Sequence, residues 1–573
     1  MNILIEKNQF VSMRDGVLLA TDLYRNADGS AAPVLVMRLP YNKERYVNPE
    51  VMTLVQAGFH LVIQDSRGRF ASQGEFHASA QEMNDGVDCY TWVAQQPWCN
   101  GRIGTLGTSY VGQVQWLASS QMPDAVQAMA VLLAPVDHYS DIAYRGGVLN
   151  LGSMLFWCSM MAVDEQGRRI AAGTATPDML QTQAMALGNL ANLYHTLPLA
   201  EMPHLEGVSP HFFDWINHPA YDDFWRRIDA RNFPQIDKPV LHIGGWYDIF
   251  LNGTLQGYIG MRRGAESAEA RSRQKLIVGP WSHGTNWTSS YHEMDFGMHA
   301  SGEAVNLTGL QLRWQERWVK GIRNGIDQEP PVRIFVMGIN QWRDEADWPL
   351  PDTRYTPYYL HSNGHANTLH GDGTLSLLSP NAEPTDTFVY DPLNPVPSIG
   401  GANLMPFAST IGPRDQQQVE TREDVLIFTT PVLPQNLEVT GPITAHLYVS
   451  SSAPDTDITC KLVDVYPDGR AMVLTDGILR LRYRHSFTKP TLLQPDEIVP
   501  ITVDLWSTAN VFLVGHRLRV EVSSSCFPKF ARNSNTGGNV ATERREQYQV
   551  AVNRIYHDAD HPSHILLPII ERA

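Results

Sequence analysis

Several features are scarce in this 573-residue chain, and each scarcity closes off a class of function. Cationic side chains are outnumbered: 44 Lys and Arg against 60 Asp and Glu leave a formal charge of -16. A nucleic-acid backbone needs clustered cations to neutralise its phosphates, so no nucleic-acid partner is expected. Long apolar runs are missing too. No uninterrupted stretch reaches the length a bilayer requires, and the opening MNILIEKNQF lacks the apolar core of a signal peptide. The expectation is a cytoplasmic protein with no membrane partner.

Cysteine is sparse and scattered. Cys89, Cys99, Cys158, Cys460 and Cys526 are odd in number and lie far apart, which suits neither a disulfide framework nor a metal set. Cys158 and Cys526 sit among apolar residues and read as small buried hydrophobes rather than reactive thiols. Ligand motifs are equally thin. His204, His211 and His218 recur every seven residues, but none belongs to an H-E-x-x-H pattern. There is no calcium loop, dinucleotide fingerprint or phosphate-binding Walker loop. No metal and no cofactor are predicted.

What the chain does have is length and a change of rhythm. It is too long for one ordinary core, so two or three domains are expected. In the first third, short apolar runs alternate with helical patterns. AAPVLVMRLPY, GFHLVIQDSRG, GRIGTLG, AVQAMAVLLAP, KPVLHIGG and QKLIVGP read as buried strands, and EMNDGVDCYTWVAQQP as a connecting helix. That alternation predicts a mainly parallel α/β sheet. Residues 145–235 interrupt it with an Ala- and Met-rich, aromatic-containing helical stretch suited to covering a site. After about residue 350 the runs become short and β-rich, as in DTFVYDP, DVLIFTT, ITAHLYVS and HRLRVEVSSS, which predicts a β-sandwich or jelly roll. The proline-bearing ADWPLPD marks the change. The expected organisation is an α/β-hydrolase-like core over 1–144 and 236–349, a helical cap over 145–235 and a β-sandwich of jelly-roll type over 350–573. The loops DPLNPVP and ARNSNTGG are expected to seat these parts together.

The chemistry centres on RIGTLGTSYVGQVQW. It supplies a strand, a tight turn at Gly107 and a helix after Ser109, a placement that projects a serine hydroxyl beside a helix N-terminus. The general pattern G-x-S-x-G would put the second glycine at position 111, where this chain has Val111, with Gly112 one place later. Read alone, Ser109 is either a nucleophile or a helix cap. Asp248 follows one predicted strand and His283 the next. The order Ser109, Asp248, His283 is the chain order of an α/β-hydrolase triad. In that reading His283 is the base and Asp248 the acid that orients it, with Asp137 the alternative acid; Asp65 precedes the serine and does not fit the order. Each partner also has an ordinary reading, Asp248 as a helix cap and His283 as a buried hydrogen-bonding residue.

With these residues in view, the sequence resembles the CocE/NonD hydrolase family, which includes esterases, α-amino-acid ester hydrolases and X-prolyl aminopeptidases. The matching pieces are RLPYNKERY, VIQDSRGRFASQGEF, GTSYVGQVQW, GGWYDIF, GPWSHG, MGINQWRDEADWP, VYDPLNPVPSIGG and GHRLRVEVSSSCFPKFARNSNTG, spread over nearly the whole chain. The resemblance implies an α/β-hydrolase core, a helical cap and a C-terminal jelly roll, with Ser109 as nucleophile, Asp248 as acid and His283 as base. Its serine motif is G-x-S-Y-x-G, so Gly112 is expected there. It further implies that the Tyr41 hydroxyl and the Tyr110 backbone N–H form the oxyanion hole, and that cap helices help to form an acyl pocket. Phe156, Trp157 and Phe250 are the candidate lining residues.

The leading expectation is a carboxylic-ester hydrolase acting on a small-molecule ester with an aromatic or moderately apolar acyl group, through an acyl-serine intermediate. The alternative within the same chemistry is an aminopeptidase or amide acylase, which would need carboxylates beside the pocket to hold a free α-amino group. Glu293 and Asp295 are the candidates for that task. A third reading makes the β-sandwich a carbohydrate-binding module on a noncatalytic core. The sequence is compatible with a homo-oligomer.

Overall fold

Continuous apolar runs bounded by turn residues build a ten-stranded sheet, because strands covered by helices on both faces have no polar side to show. The computed structural model describes residues 2–284, 287–406 and 411–572. In chain order the first elements are β1 (Ile3–Ser12), β2 (Leu18–Asn26), β3 (Ala32–Leu39), α1 (Pro49–Gln56), β4 (His60–Asp65), α2 (Glu82–Ala94), β5 (Cys99–Thr108), α3 (Tyr110–Ala118) and β6 (Val126–Leu132). A short hairpin, β7 (Tyr144–Arg145) and β8 (Val148–Leu149), leads into α4 (Leu151–Ala171), α5 (Pro177–Gly188), α6 (Leu190–Leu193), α7 (Pro210–Asn217) and α8 (Asp223–Arg226). The sheet resumes with β9 (Val240–Tyr247), α9 (Leu251–Gly264), β10 (Gln274–Ser282), β11 (Val332–Val336) and β12 (Gln341–Glu345).

The strand order is β1-β2-β4-β3-β5-β6-β9-β10-β11-β12. From β4 through β11 every neighbour is parallel, while β1, β2 and β12 pair antiparallel at the two ends. Every residue of β4, β9 and β10 is buried, whereas β1 at the edge is mostly exposed. The parallel arrangement sends the carboxyl ends of β5, β9 and β10 to one side of the sheet, where crevices in open α/β sheets form. Of the helices inserted between β8 and β9, α4 and α7 reach that side.

Beyond residue 354, eleven strands ending at Ile570 form a C-terminal sandwich of jelly-roll type, dominated by antiparallel pairs such as Leu437–Ser451 with Val499–Phe512. One hydrophobic core runs from Trp246, Leu276 and Val332 into Ile443, Leu447 and Phe512, so the two sheets share packing. The backbone ties them as well. Met337 N–H donates to Ala509 O and Val511 N–H to Met337 O, both at 2.9 Å.

The two shaped loops differ in what they seat. Ala531, at the head of ARNSNTGG, donates its N–H to Leu149 O, and the neighbouring Lys529 O accepts from Gly152 N–H, which fastens the sandwich to the start of α4. DPLNPVP instead stays within the sandwich, where Val396 N–H donates to Ser525 Oγ and Phe527 N–H to Val396 O. Among the described residues no helix is long and apolar enough to cross a membrane, and the five cysteines are free and buried.

Candidate active site

The serine turn is built by two glycines. At Gly107 a Cβ would lie 2.3 Å from Val111 Cγ1, so only glycine lets α3 fold back onto β5. At Gly112 a Cβ would lie 2.6 Å from Ala134 Cβ and 3.1 Å from Gly107 O. Position 112, not 111, therefore meets the neighbouring chain, and Val111 is fully buried against the sheet. Gly112→Ala is expected to destabilise the protein by about 1–3 kcal/mol through overpacking, seen as a lower denaturant midpoint at unchanged slope. An unchanged midpoint would mean that the turn relaxes freely.

Ser109 itself has φ 64° and ψ -129°, backbone that costs a non-glycine residue about 1–3 kcal/mol. Although it is the N-cap residue of α3, its side chain accepts no hydrogen bond from the helix. The hydroxyl is directed elsewhere. Ser109 Oγ lies 2.9 Å from His283 Nε2, and His283 Nδ1 lies 2.7 Å from Asp248 Oδ2. A carboxylate oxygen can only accept, so Nδ1 carries the ring proton and Nε2 is left to accept from the serine hydroxyl.

Asp248 follows β9 directly and has no exposed surface. Its second oxygen, Oδ1, accepts the N–H of Phe250 at 2.7 Å, which fixes the carboxylate plane at the start of α9. Asp248 does not cap α9, whose N-cap is Phe250: one oxygen holds the Phe250 N–H and the other holds His283. The Phe250 ring stands edge-on to the imidazole at 4.9 Å. Asp137 is committed to Ser140 Oγ, the Tyr139 N–H and Arg231. Asp65 is tied to Lys43.

Tyr41 follows β3 and reaches the same place. Its hydroxyl accepts from Trp157 Nε1 at 3.0 Å, which leaves its own proton available to donate, and its side chain also interacts with Ser109. Burial pushes this phenol well above its ordinary pKa, so it stays protonated. Tyr110 is the first residue of α3, and a first-turn N–H has no intrahelical acceptor. Its side chain is anchored away from the turn, accepting from Ser79 N–H at 2.9 Å and donating to Glu82 Oε1 at 3.2 Å.

A cleft with an empty volume of about 510 Å³, measured out to its mouth, opens beside Ser109. Its walls include Tyr41, Met154, Trp157, Trp215, Phe250 and Leu404. Of the three predicted lining residues, Trp157 and Phe250 are there and Phe156 is not. Successive helical residues point about 100° apart, so α4 turns Ser153, Met154 and Trp157 inward and Phe156 into neighbouring core. Among the described residues no carboxylate, ammonium or guanidinium lines the cleft. Glu293 pairs with Arg414 at 2.7 Å and accepts the Asp415 N–H, and Asp295 accepts the Gly297 N–H. In the sequence Trp215 is marked only as part of the aromatic insertion and Leu404 not at all; they are brought in by α7 and by a segment nearly 300 residues after the serine.

The three regularly spaced histidines do not converge. His204 meets Ser159, His218 meets Asp222, and His211 lies among Phe76, Trp157 and Trp215.

Residues 15–285 match the family model described as X-Pro dipeptidyl-peptidase (S15 family), and residues 324–566 match that of the X-Pro dipeptidyl-peptidase C-terminal non-catalytic domain. The chain is 42% identical to cocaine esterase of Rhodococcus sp. (strain MB1 Bresler), over 100% of this chain and 99% of the relative. The fold is shared with an aminopeptidase from a marine sediment archaeon (Thaumarchaeota archaeon), at TM-score 0.83 and 24% identity, covering 100% of this chain and 97% of that one. It is shared also with a CocE/NonD family hydrolase from Staphylococcus aureus, at TM-score 0.70 and 21% identity, covering 100% and 94%.

Proposed function

We propose, from the premise that this chain belongs to the CocE/NonD family of serine hydrolases, that it cleaves carboxylic esters of aromatic or moderately apolar acids. The family chemistry runs on esters or amides through an acyl-enzyme intermediate. In this reading Ser109 is the nucleophile, His283 the general base and Asp248 the group that orients it. Tyr41 Oη–H and the Tyr110 N–H receive the oxyanion. The observation that carries the reading is the unbroken hydrogen-bond chain from Ser109 Oγ through His283 to a fully buried Asp248 carboxylate.

The steps follow from the atoms. Ser109 Oγ bonds to the ester carbonyl carbon while its proton passes to His283 Nε2, and Asp248 stabilises the imidazolium. The negative charge that develops on the carbonyl oxygen meets these two donors, which favours the transition state over the ground state. Collapse breaks the carbon–oxygen bond, and His283 returns the proton to the departing alkoxide. Water then attacks the acyl-serine, giving one proton to His283, and the second collapse restores Ser109 and releases the acid.

The absence of any charged side chain from the described cleft walls favours esters of uncharged acids over α-aminoacyl substrates, since an ammonium there would be desolvated without a partner. The test is a matched set: 4-nitrophenyl benzoate, benzoyl 4-nitroanilide and phenylalanine 4-nitroanilide. The benzoate ester is expected to exceed both anilides in kcat/KM by about a hundredfold or more. Preferred cleavage of the phenylalanine anilide would transfer the assignment to an aminopeptidase.

A further inference from the structure

Two polar side chains in the wall of the cleft are left with unmet hydrogen-bonding capacity. Gln113 and His138 are 2% and 1% exposed, and both line the cavity beside Ser109. Gln113 Nε2 lies 3.0 Å from His138 Nδ1, and Ser79 Oγ lies 3.0 Å from the same ring nitrogen. The other end of each side chain, Gln113 Oε1 and His138 Nε2, is buried without a partner among the described residues. An unmet buried polar group costs about 1–3 kcal/mol, so two of them on hydrogen-bonded residues that both line the cavity point to something the cavity is built to receive.

The unmet pair has the same character whichever way hydrogens are assigned. If Gln113 Nε2 donates to Nδ1, the free groups are a carbonyl acceptor on Gln113 and an Nε2–H donor on His138. If the amide is turned and Nδ1–H donates, the free groups are an NH₂ donor on Gln113 and a bare Nε2 acceptor on His138. Either assignment leaves one donor and one acceptor. A hydroxyl group, which donates once and accepts twice, satisfies both.

Charge does not fit there. Burial lowers the His138 pKa to about 3, so the imidazole is neutral. Its faces are covered by Trp215 at 4.8 Å and Trp225 at 5.7 Å. Asp137, the neighbouring carboxylate in sequence, is held by Arg231, and Glu82, near Ser79, by Arg38. Distance restricts the ligand further. Gln113 follows Ser109 by four residues, within the first turn of α3, so a ligand that reaches both is short.

We infer that Gln113 and His138 form a polar subsite that selects hydroxyl-substituted aromatic acyl groups over their hydrocarbon counterparts. The inference rests on the cleft being the acyl site of the ester hydrolysis proposed above. The benzoyl ring lies among Trp157, Trp215 and Phe250, and its hydroxyl replaces the missing partner of both side chains. A site that hydrogen-bonds a substrate hydroxyl penalises the analogue lacking it, because the protein groups then stay desolvated and unpaired.

The experiment compares methyl 3-hydroxybenzoate and methyl 4-hydroxybenzoate with methyl 3-methylbenzoate and methyl 4-methylbenzoate at neutral pH. Each kcat/KM is normalised to the hydroxide-catalysed rate of that ester, which removes the electronic effect of the substituent. At least one hydroxy isomer is expected to exceed its methyl isostere by about 10–100-fold, and the ratio to fall to within about threefold in Gln113→Leu and His138→Phe. A wild-type ratio within about threefold for both isomers, or a preference that survives in both variants, overturns the subsite. Turnover of every ester without preference removes this inference alone, whereas no turnover of any ester removes the ester reading as well. Competitive inhibition of the wild type by the free hydroxybenzoic and methylbenzoic acids gives the same comparison without a variant, and equal inhibition constants count against the subsite.

Discussion

Ser109→Ala is expected to lower kcat for a preferred ester by about 10⁴–10⁶-fold while leaving the folded state intact. The loss is large because the hydroxyl supplies the covalent path itself. What survives is the contribution of the oxyanion donors and of binding, which act on direct attack by water. The fold should tolerate the change for a structural reason. Ser109 Oγ caps no helical N–H, and among the described residues its polar contacts run toward His283 and Tyr41, so removing it leaves the α3 backbone bonds to Ser109 O untouched. Thermal midpoints of the two proteins should lie within a few degrees, roughly what 1 kcal/mol produces in a chain of this size. Intact-mass measurement after mixing with a slowly deacylating ester should show one acyl group on the wild type and none on the variant. Turnover that persists undiminished in the folded variant would remove Ser109 from the reaction.

Asp248→Asn carries the second large expectation, a loss of about 10⁴ in kcat. Both carboxylate oxygens are used as acceptors, Oδ1 for the Phe250 N–H and Oδ2 for the His283 Nδ1–H. An amide offers only one acceptor at that place. If its oxygen keeps the Phe250 N–H, its NH₂ faces Nδ1 and drives the ring proton to Nε2, where it points at Ser109 Oγ and cannot remove a proton. If the amide turns the other way, two N–H groups meet at Phe250 and the start of α9 is disturbed. The matching control is Asp137→Asn. Asp137 serves Ser140, the Tyr139 N–H and Arg231, so its variant should change kcat by less than about tenfold. A 10⁴-fold loss in Asp137→Asn with little change in Asp248→Asn would exchange the two roles.

The sequence made the parallel sheet and the positions of Ser109, Asp248 and His283 legible for one shared reason. Strands β4, β6, β9 and β10 and the second half of β5 are almost wholly covered, so they appear as short, largely apolar runs, and the polar residues that follow them stand out. Strands β1 and β2, at one end of the sheet, left no comparable mark. β1 is largely exposed, and its apolar and charged residues mix without a clean period. Phe156 and Trp157 show the same limit inside the cleft. Their composition marks them equally, but the helical rotation of about 100° between them decides which one faces Ser109.

The sequence by itself determined the strand ends, the glycine turn and the chain order of the candidate triad, because these depend on local sterics and on apolar periodicity, both written within a few neighbouring residues. Only the tertiary structure decided what surrounds them. Leu404 and Trp215 come from distant segments, His138 is brought against Gln113 from beyond β6, and whether a polar atom there finds a partner depends on every element that closes over it. Hydrogen bonds and desolvation act over a few ångströms in space and carry no record of separation along the chain.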